Sequence, residues 1–247
     1  MESGALDRVR RQWTRLGECD PLWAILSRPD KKGGGWDPAT FFETGVTEIE
    51  NVLSIAQGLA PIRFGTAIDF GCGVGRLSQA LATHFERVIG IDVAESMIQK
   101  AHQLNRFPGR CDYVHNVAAD LSVLADQSAD FIYSSITLQH VVPALASRYI
   151  QEFFRVARSG APVVFQLPCR PRSVVWHSIK RMLPVAAVNL LWRLRTESPE
   201  AMETYAMPEH NVIQLVESSG GAVLFMEDDH NGPHGWQGRK YFCTRRK

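Results

Sequence analysis

Apolar positions along this chain fall into two regimes. Near the N-terminus, Val9, Trp13 and Leu16 mark one face of a short, arginine-rich helix. A polar, glycine-rich loop follows, RPDKKGGGWDP at 28–38. A second amphipathic helix then begins near Pro38, a residue suited to the first helical turn because its missing N–H would have no partner there. Phe41, Phe42, Gly45, Ile49, Val52 and Leu53 form its apolar side. Residues 1–63 are therefore expected to be a helical cap, part of the same domain as residues 64–247.

From residue 66 the pattern becomes strand, turn, helix, repeated. Apolar runs at 67–70, 87–92, 111–115, 130–134 and 162–167 read as strands. Between them run helical stripes: Leu77, Leu81 and Phe85, then Met97, Ile98 and Ala101, then Ile150, Phe153, Phe154 and Ala157. Strands that are apolar in runs, alternating with helices, predict an α/β fold with a buried parallel sheet. Residues 169–207 break the rhythm with Pro171, Pro184 and six Arg or Lys between 170 and 195. This stretch reads as an insertion over the mouth of the sheet. The alternation resumes with a helix at 208–219 closed by Gly220 and Gly221, a strand at 222–227 and a last strand at 240–244.

Composition narrows this picture only slightly. The chain has 247 residues, 45% hydrophobic and 21% charged, enough to bury a full core. Its net charge of +1 provides no global field to recruit nucleic acid. Five cysteines at 19, 72, 111, 169 and 243 are odd in number and lack CxxC spacing, so reduced thiols and a cytoplasmic location are expected. The start MESGALDRVRRQW has no apolar core of a signal peptide. The longest apolar stretch, 182–192, contains Pro184 and Asn189 and is too short to span a bilayer.

The chemistry concentrates first at AIDFGCGVG (67–75). A glycine-rich turn after the first strand of such a sheet is where open α/β folds bind ligands. The same turn can also serve only to join strand and helix. Dinucleotide binding requires G-x-G-x-x-G, and here Gly71 and Gly73 are followed by Gly75 and then Arg76 at the sixth position. No Gly-Lys-Ser/Thr follows, which excludes a P-loop. Asp69 would repel a pyrophosphate but suits a cationic ligand. Asp92 ends the second strand 21 positions after Gly71, where a carboxylate can take both hydroxyls of a ribose or cap the next helix.

These segments resemble the class I S-adenosylmethionine-dependent methyltransferases. The resemblance is carried by AIDFGCGVGRL, VIGIDVAESMI, DFIYSSITLQHV (130–141) and RVARSGAPVVFQLP (155–168), in that order. It implies a Rossmann-like, doubly wound, mostly parallel seven-stranded sheet with an antiparallel last strand, an N-terminal helical cap and a helical insertion after strand five. It implies S-adenosyl-L-methionine as cofactor. Asp69, Gly71 and Gly73 would line its methionine part, with Cys72 and Arg76 in the same turn. Asp92 would hold the ribose, with Val93 and Met97 near the adenine. The carboxylate that many relatives place at the end of strand three falls at Val117, so Asn116 or the backbone of Val117 and Ala118 would read the adenine.

Methyl transfer needs alignment of acceptor, methyl and sulfur, and an alcohol acceptor also needs help losing its proton. His140, just past the fourth strand, is the candidate general base, since an imidazole with a reference pKa of about 6.5 can be neutral near neutrality. Packing in the turn is the competing role. Ser134, Ser135, Thr137 and Gln139 read as cofactor or substrate walls. A second cluster, EDDHNGPHGW (227–236), reads as a substrate-binding loop with Trp236 as a flat wall and His230 or His234 as hydrogen-bonding groups. Asp228, Asp229 and His230 are the alternative ligands of a divalent metal. Trp176, His177 and Trp192 of the insertion join this side. Such a mouth suits a polyhydroxylated acceptor, so the expected activity is O-methylation of a small molecule or oligosaccharide such as a saccharide, without nucleic acid. N-methylation of a small metabolite and a non-catalytic cofactor-binding module are the alternatives. The basic insertion has three readings: a lid, a contact in a homo-oligomer, or a peripheral membrane contact.

Overall fold

The computed structural model describes residues 2–171, 203–229 and 235–246. Most of the insertion, with Trp176, His177 and Trp192, lies outside them, as do His230 and His234.

Seven strands form one sheet: β1 (Thr66–Phe70), β2 (Arg87–Asp92), β3 (Cys111–His115), β4 (Phe131–Ser134), β5 (Pro162–Pro171), β6 (Gly221–Asp229) and β7 (Trp236–Arg245). Their order is β3-β2-β1-β4-β5-β7-β6. The first five pair in parallel, and β7 runs antiparallel to both neighbours, as expected. The helices are α1 (Glu2–Cys19), α2 (Pro21–Ile25), α3 (Pro38–Leu59), α4 (Arg76–Leu81), α5 (Glu95–Gln103), α6 (Pro143–Val156) and α7 (Glu209–Ser218).

Strand residues alternate between two buried faces. Ala67, Phe131, Tyr133, Val164 and Phe242 share a core with α3, α4 and α5. Ile68, Phe70, Ile132, Val163 and Phe165 share the other with α6 and α7. Burial on both faces is why the strands read as apolar runs.

Three boundaries differ from the sequence reading. The 77–85 stripe is only partly helical: α4 ends at Leu81, and Phe85 reaches the core from a turn in which Thr83 and His84 donate to Ala80 and Leu81 carbonyls. A side chain at i+8 satisfies the stripe from either conformation. β5 continues to Pro171, pairing with Trp236, so the excursion starts at 172 rather than 169. Glu227, Asp228 and Asp229 lie on β6, and Trp236 opens β7, so these residues of the expected loop belong to paired strands.

The N-terminal helices are built into the domain. Asp37 caps α3 by accepting from Thr40 N–H at 2.8 Å, with Pro38 next in the chain. Gly45 of α3 faces α4 so closely that a Cβ there would sit 2.4 Å from the Arg76 carbonyl oxygen. Beside it, Glu48 accepts from Arg76 at 2.8 Å and from the Tyr133 hydroxyl at 2.7 Å. Burial pushes the Glu48 carboxyl up, but Arg76 and Tyr133 outweigh it and hold the group below the usual range. α1 lies along α5, where Ser96 Oγ donates to the Thr14 carbonyl at 2.6 Å. Among the described residues no helix is long and apolar enough to cross a membrane.

Removing one partner of a buried ion pair strands the other charge. Glu48→Leu is expected to lower the unfolding free energy by about 3–5 kcal/mol in urea denaturation. The double variant Glu48→Leu/Arg76→Met should recover most of that loss.

Candidate active site

A pocket opens at the C-terminal ends of β1, β2 and β4, where open α/β sheets bind ligands. It encloses about 750 Å³ free of protein atoms, part of it continuous with solvent. Its floor is the turn after β1. Gly71, Gly73 and Gly75 have φ values of 77°, 53° and 84°, the left-handed region that side chains avoid. The surroundings exclude side chains as well. A Cβ on Gly71 would lie 2.1 Å from Thr137 Oγ1, and one on Gly73 would lie 2.6 Å from Ile25 Cδ1. The closest neighbours of Gly71 and Gly73 are therefore Thr137 and Ile25, which line the pocket together with them.

Asp92 holds this turn. Its carboxylate accepts from Gly73 N–H at 2.9 Å and from Ala94 N–H at 2.8 Å while lining the pocket with Val93. Burial raises its pKa, opposed by those N–H groups. Helix α5 starts one residue beyond Ala94, so Asp92 bridges the turn and the strand end rather than capping the helix.

Asp69 lies behind the turn, only 1% exposed. Its Oδ2 accepts from Ser78 Oγ at 2.6 Å, and Oδ1 is buried without a hydrogen-bond partner. Burial pushes its pKa up to about 7; Ser78 and Arg76 oppose the rise, and Asp92 and Glu48 add to it. Neither Asp69 nor its neighbours Cys72 and Arg76 line the pocket. Cys72 is packed in the core with Tyr113, and Arg76 is committed to Glu48. Arg76 breaks the dinucleotide pattern because it is the partner of a buried carboxylate on α3. Met97, expected near the adenine, packs instead with Trp36 and Phe41. Asn116 lines the pocket, but its side chain closes its own loop, donating to Asp120 O at 2.7 Å and accepting from Ala118 N–H at 3.2 Å. Val117 is half exposed, and the Ala118 carbonyl accepts from Tyr149.

The end of β4 supplies the opposite wall. Ser135, Ile136, Thr137 and His140 line it, while Ser134 is fully buried. Ile136 has φ 58°, a strained setting for a β-branched residue and a mark of functional sites. His140 does not have the free nitrogen a general base needs. Its Nδ1 faces the Glu203 carbonyl at 3.2 Å, and its Nε2 faces the Gln139 side-chain amide at 3.1 Å. Burial lowers its pKa to about 4, with the Glu203 carbonyl opposing. Its edge meets Trp13, ring centres 5.2 Å apart. The ring expected to be the base is thus buried, with both nitrogens within hydrogen-bond distance of neighbours.

The residues that sequence reasoning missed are mainly from the cap. Leu6, Val9 and Trp13 of α1 and Ile25 of α2 line the pocket, with Phe70 and Tyr149 from the domain itself. The amphipathic face of α1 was visible, but not what it covers. The described residues of the 227–236 cluster do not line this pocket. Asp228 is ion-paired with Arg239, and Trp236 pairs with Pro171. Among the described residues no three His, Cys, Asp or Glu side chains converge as metal ligands do.

Residues 68–165 match the family described as a methyltransferase domain. The chain is 25% identical over 182 residues to an uncharacterised RNA methyltransferase of Clostridium tetani, covering 70% of this chain and 38% of that one. It is 27% identical over 157 residues to a probable S-adenosylmethionine-dependent methyltransferase of Mycolicibacterium smegmatis, covering 64% and 57%. Over 98 residues it is 33% identical to a malonyl-[acyl-carrier protein] O-methyltransferase of Yersinia pestis, covering 40% and 34%. The chain thus spans less than two thirds of these relatives. Its fold resembles magnesium protoporphyrin IX methyltransferase from Synechocystis with bound S-adenosylhomocysteine, at TM-score 0.65 and 18% identity, covering 98% and 99%.

The Asp69 carboxyl generates a prediction. Between its ordinary pKa of 3.8 and about 7, the unfolded chain releases this proton and the folded chain keeps it, so stability falls as pH rises across that window. Asp69→Asn should remove that slope. In urea denaturation its gain over wild type is expected to be larger at about pH 8 than at about pH 5. An equal gain at both would contradict the buried, protonated carboxyl.

Proposed function

From a chain built on the class I S-adenosylmethionine-dependent methyltransferase fold, we infer an O-methyltransferase whose acceptor is the carboxylate of an apolar small molecule. S-adenosylmethionine, when bound, supplies an electrophilic methyl group on a sulfonium. The pocket fits such a group: Gly71 and Gly73 offer bare backbone, Asp92 a carboxylate for the ribose, and Val93 and Asn116 the adenine side.

One observation carries the acceptor class: among the described residues the acceptor end is apolar and has no free base. Leu6, Val9, Trp13, Ile136 and Val141 provide its walls, and His140 is neutral with both nitrogens engaged. An alcohol here would keep its proton. A carboxylic acid, with a reference pKa of about 4, arrives already ionised. Ser135 and Thr137 are the hydroxyl groups at hand to orient it. Low polarity around an anion facing a cation favours the step that cancels both charges. Of the residues that suggested a saccharide, Asp228, Asp229 and Trp236 line no part of this pocket, and the others lie outside the described residues. The name of the Yersinia relative, an O-methyltransferase, agrees with oxygen as the acceptor atom. RNA methyltransferases also occur among the relatives, so RNA belongs among the acceptors tested.

Incubation with methyl-labelled cofactor and separate pools of apolar acids, saccharides, amines and RNA tests this reading. Label is expected in the acid pool as a methyl ester, released as methanol by alkali. Turnover should be flat from about pH 6 to pH 8, because neither acceptor nor His140 titrates there. Label confined to any other pool would overturn the proposal. Trp13→Ala should raise the acceptor KM at least about tenfold, the loss of a buried aromatic wall. Calorimetry should show its affinity for S-adenosylhomocysteine changed less than about threefold.

A further inference from the structure

We infer that Gln139 and Gln166 are positioning residues: a one-way hydrogen-bond chain through their amides holds His140 as its Nδ1–H tautomer and ties the pocket turn at Ile136 to Glu203. The chain has four links. Ile136 N–H donates to Gln166 Oε1 at 3.2 Å. Gln166 Nε2 donates to Gln139 Oε1 at 3.3 Å. Gln139 Nε2 meets His140 Nε2 at 3.1 Å, and His140 Nδ1 meets the Glu203 carbonyl at 3.2 Å.

The direction is set by the two ends. A backbone N–H can only donate, so the Gln166 oxygen must face Ile136 and its NH₂ must face Gln139. Gln139 therefore presents its oxygen to Gln166 and its NH₂ to the imidazole, so Nε2 must accept. At the far end a carbonyl can only accept, so Nδ1 must carry the proton. Both ends force the same tautomer, and no amide can flip without placing two donors or two acceptors face to face. The three side chains are 1%, 3% and 9% exposed, so water does not compete for these links.

The chain has work to do at both ends. At one end it pairs the N–H of Ile136, whose strained backbone lines the pocket. At the other it fixes the segment at 203–207, where Tyr205 N–H also donates to the Gln139 carbonyl at 2.8 Å and Met207 N–H to the Pro168 carbonyl at 2.9 Å. Trp13 rests against the imidazole between them. The Glu203 carboxylate is turned away from the ring, to Tyr205 and Arg8, so no charged side chain faces the imidazole from these elements. His140 is thus a link in the scaffold of the acceptor wall.

The test uses the full chain, labelled with ¹⁵N, and reads the His140 ring nitrogens by multiple-bond NMR at neutral pH. It needs neither acceptor nor turnover, so it stands or falls apart from the proposed reaction. Wild type is expected to show a protonated Nδ1 and a bare Nε2. Gln139→Met cuts both amide links but keeps the backbone bond to Tyr205. The Glu203 carbonyl still accepts from Nδ1–H, so the tautomer should hold, while loss of the hydrogen bond to the bare Nε2 should shift that nitrogen's signal and speed hydrogen exchange at the Tyr205 amide at least about tenfold. Gln139→Glu replaces the donor with a carboxylate and should draw a proton onto Nε2, giving an imidazolium. If Gln139→Met does not fold, Gln166→Met cuts the chain one link earlier, frees the Gln139 amide to turn and should shift the Nε2 signal in the same direction. A wild-type ring protonated at Nε2, or nitrogen signals unchanged in the folded variants, would overturn the inference.

Discussion

The structure depends on a carboxylate held against its own backbone. Asp92 spans from the end of β2 to the glycine turn after β1, taking the N–H of Gly73 and of Ala94. Gly71 and Cys72 donate from the same turn to the Ile91 carbonyl at 2.7 and 3.0 Å. Two adjacent parallel strands are thereby locked together where they would otherwise end in unpaired donors. The left-handed glycines make the turn feasible, and Asp92 makes it stay. The pocket walls are then placed by what packs against that turn, Thr137 on Gly71 and Ile25 on Gly73.

This explains why the N-terminal helices belong to the site. Ile25 fills the space that the missing Cβ of Gly73 leaves, and α1 follows by laying Leu6, Val9 and Trp13 over the pocket. Leu6 also enters the main core, so α1 cannot leave without exposing apolar surface. The strong polar attachment lies deeper, at Glu48 and Arg76, where the net gain is modest but breaking one side costs several kcal/mol. Cap and sheet therefore pack as one, and the cap supplies part of the pocket wall.

What could be read from sequence follows the range of the forces. Strands were legible because both sheet faces are buried, and the face of α3 was legible because its period is local. Asp92, Gly71 and Gly73 were legible because a strand–turn geometry constrains residue type within a few positions. The end of α4 was not, because Phe85 meets the same core from a turn. Arg76 was assigned to the ligand because its partner, Glu48, is 28 positions away on another element. Gln139 and Gln166, 27 positions apart, left no periodic signal at all. A buried amide pair looks like two unrelated polar residues until the fold brings them together.

His140 shows the same limit in its chemistry. Its place after β4 points to a base, and position is all that a sequence gives. Basicity depends on whether a lone pair is free and whether a charge can be tolerated, and both are tertiary properties. Here one nitrogen must donate and the other must accept, and adding a proton would set Nε2–H against the Gln139 amide as well as charge a buried ring. On the proposed reading, a ring held this way does not abstract a proton at that position. Transfer to an atom that needs no deprotonation then remains, and for oxygen that condition favours acids over alcohols.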